Sequence, residues 1–247
     1  MTSLSSFATP LRCCVIGAGG GVGGALVAAL AAQPTVAVVH ALSRRPRAVA
    51  HPTVRPASID VLDEASVAAA AEALGADGPL DLVWVATGVL HDASLQPEKR
   101  WEALSASGLA HAMAVNAIGP ALCAKYFLPL LRADHKSVFA ALSARVGSIE
   151  DNRSGGWYGY RASKAALNML LKTFALELAR RRPRAICVGL HPGTVDTALS
   201  RPFQRGVPAA RLFDPATAAA HLLRVVDGLE PRDSGHVFAW DGTRIPA

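Results

Sequence analysis

Arg12-Cys13-Cys14-Val15-Ile16-Gly17-Ala18-Gly19-Gly20-Gly21-Val22-Gly23-Gly24-Ala25-Leu26-Val27 is the stretch on which the fold turns. It opens as a short apolar run and closes as the start of an alanine-rich segment with helical period. Between them, six of the eight residues from Gly17 to Gly24 are glycine. That is not ordinary helix, because each glycine costs ~1 kcal/mol against alanine there. Glycine suits a tight turn and lets backbone N–H groups approach a pyrophosphate at a helix N-terminus. Placed between strand and helix, the turn reads as a dinucleotide cradle rather than a flexible loop. Two registers fit: Gly17, Gly21 and Gly23, or Gly19, Gly21 and Gly24.

The same alternation continues outward. Strands are expected at Arg12–Ala18, Thr35–Leu42, Thr53–Val61, Leu82–Ala86, Ser137–Leu142, Ala185–Leu190 and His236–Trp240. Helices are expected at Gly21–Gln33, Glu64–Leu74, near Pro97–Ser107, and at Leu109–Leu131, Tyr158–Arg180 and Pro215–Asp227. Short apolar β-branched runs alternating with helical segments predict an α/β fold, a doubly wound parallel sheet of about seven strands with helices on both faces. Residues 11–247 read as one domain and residues 1–10 as a disordered start. In such sheets ligands bind beyond the carboxyl ends of the strands, where strand order reverses.

Composition narrows the classes. The chain has 247 residues, 51% hydrophobic and 18% charged, which excludes a disordered chain. No uninterrupted apolar run of ~18 residues points to a membrane span, and Met1–Pro10 lacks the features of a secretory signal. Four cysteines, Cys13, Cys14, Cys123 and Cys187, show no metal spacing and read as reduced core thiols of a cytoplasmic protein. No metal site is expected. The net charge of +6 comes largely from arginines without interleaved aromatics, so nucleic acid is not expected as a partner.

The end of the second strand bears on the cofactor. It reads His40-Ala41-Leu42-Ser43-Arg44-Arg45, with no carboxylate to hold a ribose 2′-hydroxyl. Ser43 and Arg44 suit a 2′-phosphate, so NADP is favoured over NAD, although a solvated basic turn is the plain alternative. Asp60-Val61 follows the third strand, where Asp60 accepts from an adenine amino group or serves the next helix. Ala86-Thr87-Gly88, after the fourth strand, is small enough for a cofactor to lie on the backbone.

Tyr160 and Lys164 are four residues apart on a predicted helix and therefore share a face. A phenol of pKa near ~10 trades protons poorly at neutral pH, and an adjacent ammonium is expected to lower it. Tyr158 lies on another face and reads as packing. Ser143 ends the fifth strand, where its hydroxyl can donate to a carbonyl oxygen. Asn116 lies four residues before Pro120, whose missing N–H predicts a bend.

The glycine turn, Ala86-Thr87-Gly88, Asn116, Ser143, Tyr160-x-x-x-Lys164 and Pro192-Gly193-Thr194-Val195-Asp196-Thr197 together resemble the short-chain dehydrogenase/reductase family. Gly156–Lys164, His191–Thr197 and the tail Ser234–Gly242 look most similar to its C-factor-like members. The resemblance implies a Rossmann-like oxidoreductase moving hydride between NADP and a small carbonyl or alcohol substrate. Tyr160 would be general acid/base, Lys164 would bind the nicotinamide ribose, Ser143 would position the carbonyl and Asn116 would hold a relay water. It selects the register Gly17, Gly21, Gly23, with Val22 alongside, and assigns Pro192, Gly193, Val195 and Thr197 to the nicotinamide end. It also implies a homodimer or homotetramer. A cofactor-binding signalling or scaffold protein is the competing class. The chain departs from the family pattern at Ile16, at Val85-Ala86-Thr87-Gly88 and in a longer Ser143–Tyr160 gap. The loop 198–214 is short for a lid, which predicts an open pocket, and Arg145, Arg153, Arg201, Arg205 and Arg211 are candidates to meet an acidic substrate.

Overall fold

The computed structural model describes residues 4–247. The strands are β1 (Leu11–Ile16), β2 (Val36–Ser43), β3 (Val54–Ser58), β4 (Leu82–Val85), β5 (Ser137–Leu142), β6 (Ala185–His191), β7 (Thr194–Val195), β8 (Leu212–Phe213), β9 (Val237–Ala239) and β10 (Arg244–Ile245). The helices are α1 (Gly21–Ala31), α2 (Glu64–Gly75), α3 (Ala106–Met113), α4 (Gly119–Phe127), α5 (Tyr158–Arg181) and α6 (Pro215–Gly228).

The main sheet runs β10-β9-β6-β5-β4-β1-β2-β3. It holds eight strands rather than about seven, and it is not wholly parallel: β10 pairs antiparallel with β9. A two-residue strand has too little sequence to show a period. The pair β7–β8 forms a separate small sheet. Strand order reverses between β1 and β4, so the crevice beyond their carboxyl ends is where a ligand fits.

Each central strand is covered on both faces, which explains its continuous apolar reading. Cys13 and Val15 face one layer with Leu26 and Leu30 of α1 and Leu222 and Val226 of α6. Cys14 and Ile16 face the other with Val67 of α2, Phe127 of α4 and Leu171 of α5. Burying each such Leu or Phe contributes about 1.5–3 kcal/mol. All four cysteines are free and buried, and burial pushes the Cys123 thiol up to about 12.

Two expectations fail. Residues 4–10 are not disordered: Leu4 and Phe7 are core residues, and Ser6 donates to Asp227 at the end of α6 through both its N–H and its hydroxyl. Residues 1–3 lie outside the described residues. No helix spans Pro97–Ser107 either. The segment holds only a single 3₁₀ turn, Trp101–Ala103, and α3 starts at Ala106 with Ser105 capping the Gly108 N–H at 3.1 Å. Glu98 explains the extended backbone, because it bonds across to the start of α5: its carbonyl accepts from Trp157 N at 2.5 Å, its carboxylate from Gly159 N at 3.1 Å.

The expected bend near Pro120 takes the form of a π-helical turn, Ala114–Ile118, in which Gly119 N–H reaches back five residues to Ala114 O. Such turns often mark functional positions. The helical run 106–130 is long and apolar enough to cross a membrane, but it is a packed part of this fold, with α3 and the π-turn lying against α5.

Candidate active site

The turn after β1 is shaped by what its residues lack. Gly17 has φ +94°, and its N–H and that of Ala18 both donate to Leu42 O, tying the turn to β2. A Cβ at Gly23 would collide with the Gly17 carbonyl. One at Gly17 would lie 2.8 Å from the Ala86 backbone, and one at Gly21 would lie 2.5 Å from the Thr197 methyl. Gly19 has room for a side chain. The tight approaches therefore fall on Gly17, Gly21 and Gly23. Gly20 precedes α1 without any side-chain cap, which leaves N–H groups open at that helix start, while Val22 packs into the core.

A cavity of about 690 Å³ opens above this turn. Gly17, Gly19 and Gly20 line one wall, Ser43, Arg44, Arg45 and Arg47 the basic rim, and Asp60, Val61, Ala86, Thr87 and Gly88 the far side. Asp60 serves its own chain as well, since its carboxylate accepts from Leu62 N at 3.0 Å; the cap of α2 is Asp63. The Thr87 hydroxyl is buried with no partner among the described residues. A cradle that a Cβ would fill, an uncapped helix start, an orphaned hydroxyl and a basic rim together fit a phosphorylated dinucleotide.

Beyond Gly88 the side chains converge. A Cβ at Gly88 would lie 3.4 Å from Asn116 Oδ1 and 3.7 Å from Lys164 Nζ. Asn116, fully buried, exchanges bonds of 2.8 Å with the N–H and C=O of Val89, and its Nδ2 donates to Ser163 Oγ at 3.1 Å. Ser163 in turn donates to Tyr160 O at 2.9 Å. Lys164 Nζ donates to Leu142 O at 2.7 Å, next to Ser143, and Ser143 Oγ donates to Asn168 Oδ1 at 2.6 Å. Asn116 and Lys164 thus meet at Gly88, Lys164 reaches the residue before Ser143, and the Tyr160 ring centre lies 5.9 Å from Lys164 Nζ. Ser163, Asn168 and Glu98 escaped sequence reasoning. The only local signal for the first two is their helical spacing from Tyr160 and Lys164.

One electrostatic expectation is reversed. Burial pushes the Tyr160 phenol up to about 12, and it lowers Lys164 to about 8. Lys164 Nζ lies 5.9 Å from the centre of the Tyr160 ring and spends a proton on Leu142 O, so desolvation outweighs the attraction of the ammonium for a phenolate.

Pro192–Thr197 crosses back over the cradle. Gly193 has φ +79°, and a Cβ there would lie 2.8 Å from the Phe213 ring; β7 places Val195 in the core, and Thr197 abuts Gly21. Of this stretch Thr197 alone is seen against the glycine turn, and none of it lines the cavity. The loop after it reaches the site through one aromatic side chain. Phe203 packs edge-on against Trp157 at 5.2 Å and His91 at 5.5 Å, and Trp157 packs against Tyr160 at 6.2 Å. Trp157 has φ +53°, a left-handed backbone that a non-glycine residue adopts at a cost of about 1–3 kcal/mol. Arg145 pairs with Asp151 at 2.8 Å and Arg201 with Asp196 at 3.5 Å, so neighbouring carboxylates already engage two of the five candidate arginines.

A family model described as short chain dehydrogenase matches residues 12–207. The C-signal of Myxococcus xanthus is 39% identical over 139 residues, covering 56% of this chain and 78% of that protein, in agreement with the C-factor-like resemblance. The 1-hydroxy-2-glutathionyl-2-methyl-3-butene dehydrogenase of Rhodococcus sp. (strain AD45) is 34% identical over 193 residues, 77% of this chain and 79% of its own. Among solved structures, NADPH-bound carbonyl reductase from chicken fatty liver superposes with a TM-score of 0.85 at 25% identity, covering 98% of this chain and 96% of that one. With the cradle, the switch-point crevice and the Tyr160–Lys164 face in place, the chain belongs to the short-chain dehydrogenase family.

Proposed function

We propose that the protein is an NADP(H)-dependent oxidoreductase acting on a carbonyl/alcohol pair, with Tyr160 as general acid/base. The observation that carries this reading is the convergence of Lys164 Nζ and Asn116 at Gly88, a lining residue of the glycine-walled cavity. When bound, the nicotinamide supplies or accepts the hydride. The chain supplies orientation and the proton. Tyr160, a neutral phenol at physiological pH, gives its hydrogen to the carbonyl oxygen in the reductive direction. Ser143 orients that oxygen from the end of β5. Lys164, still largely protonated at neutral pH, holds ribose hydroxyls and offers the phenolate a compensating charge. Asn116 anchors the Val89 backbone and, through Ser163, the first turn of α5, and holds the relay water that returns a proton to the phenol. Pro192, Gly193, Val195 and Thr197 bound the nicotinamide end.

The rim made by Ser43 and Arg44, with Arg45 and Arg47 exposed beside them, supports preference for the 2′-phosphorylated cofactor. The NADPH bound to the carbonyl reductase from chicken fatty liver supports the same choice. Tyr160→Phe keeps the ring and deletes the proton. NADPH oxidation across a panel of carbonyl compounds should then drop by about 10²–10⁴-fold in kcat. Full turnover by this variant would end the assignment. The C-signal relative favours a second reading, a cofactor-binding signalling protein. NADPH binding by the wild-type chain with no oxidation anywhere in the panel would establish that reading instead.

A further inference from the structure

Tyr160, Lys164 and Asn168 succeed one another at four-residue spacing along α5, so the three side chains form one stripe. The last of them has no part in the reaction as described, yet it meets Ser143 at 2.6 Å, with Ser143 Oγ donating and Asn168 Oδ1 accepting. A serine hydroxyl has a single proton. While that proton is on Asn168, Ser143 offers only lone pairs to a carbonyl oxygen, which repels them. Ser143 is 4% exposed, its N–H is bound to Leu190 O, and Asn168 Oδ1 is the partner its hydroxyl has among the described residues. The amide of Asn168 has a second face: Nδ2 donates to no group among the described residues.

We infer that Asn168 is a positioning residue for Ser143, a two-faced amide that accepts the serine's hydrogen bond through Oδ1 and, once turned, frees that O–H to donate to the substrate. A half-turn of the amide brings Nδ2 to Ser143 Oγ. The oxygen then accepts from Asn168, and its own proton points to the carbonyl. The asparagine amide carries an acceptor and a donor that a half-turn exchanges, whereas an ionised aspartate only accepts and alanine does neither. The inference rests on the proposed role of Ser143, and its tests separate the two.

The pair is read first without turnover. In ¹⁵N-labelled protein, Ser143→Ala should shift the Asn168 side-chain amide resonances, and unchanged resonances would overturn the inference. Kinetics with NADPH and a reducible carbonyl compound follow. Asn168→Asp, which traps the serine proton, should lower kcat by about ten- to a hundredfold, below the full loss of a preorganised donor. Asn168→Ala should lower it less than about fivefold. The KM for NADPH should stay within about twofold in both variants, and NADPH fluorescence enhancement confirms that each is folded. Adding Asn168→Asp to Ser143→Ala should cost no more than about twofold further, because the effect runs through the serine. A packing role predicts the opposite order, since aspartate is isosteric with asparagine and alanine leaves a gap. Alanine as slow as aspartate, or a double variant losing both factors in full, overturns the inference while leaving the oxidoreductase reading intact. Full turnover in Tyr160→Phe overturns that reading first.

Discussion

The two halves of the crevice are built by opposite means. On the β1–α1 side the chain works through absent atoms: three glycines hold the Ala86 backbone, the Thr197 methyl and the Gly17 carbonyl where any Cβ would intrude. On the α5 side it works through particular polar atoms, Ser143 on Asn168, Asn116 on Ser163 and Val89, and Lys164 on Leu142 O. The first half is backbone and space; the second is a small network in which each buried polar group answers another. A binding surface for a large, charged molecule needs room and open N–H groups. On the α5 side burial pushes the Tyr160 phenol up to about 12, with Trp157 packed edge-on against its ring.

The contrast breaks differently in each half. The deepest expected cut, Tyr160→Phe, leaves NADPH binding untouched. In the cradle the reverse holds: Gly23→Ala forces the Gly17 carbonyl aside and should weaken NADPH binding by roughly ten- to a hundredfold, the scale of a 1–3 kcal/mol overpacking strain. Fluorescence titration measures it. Unchanged affinity would show that the turn yields and that absent atoms do not govern this half. At the rim, Arg44→Ala should raise the Kd for NADPH about tenfold, the value of one charge-assisted contact, and leave NADH nearly unaffected. Equal effects on both would remove the 2′-phosphate assignment.

The smallest effect lies at the end of β6. Burial, reinforced by the nearby Arg145 charge, lowers His191 to about 4. An unfolded histidine titrates near ~6.5, so between these values the unfolded chain binds the extra proton and stability falls as pH is lowered through that window. His191→Asn should flatten the Tm–pH curve between pH 6.5 and 4 by a few degrees, as thermal melts in matched buffers would read. A curve parallel to wild type would place the acid sensitivity elsewhere.

Much of this was legible in the residues themselves. The order of strands and helices followed from period and punctuation, and β5 begins and ends where the apolar run does. Tyr160 and Lys164 could be put on one face because four residues make one turn of helix. What escaped reading depends on partners far along the chain. Glu98 turns an expected helix into an extended strap because its partners, Trp157 and Gly159, are about sixty residues away. Leu4 and Phe7 look like a polar terminus until α6 covers them. The contact of Phe203 with Trp157 likewise joins residues far apart in the chain.

Local chemistry alone determined the alternating α/β order, the glycine turn, the basic rim and the Tyr160–Lys164 face, because each is set by residues within a few positions of one another. Tertiary structure decided the state of those groups. It lifted the phenol where an adjacent ammonium was expected to lower it, turned the Ser143 hydroxyl toward Asn168, and set Trp157 edge-on against Tyr160. Proton affinity and hydrogen-bond direction follow from what surrounds a group on every side, and in a folded chain most of those surroundings arrive from distant segments.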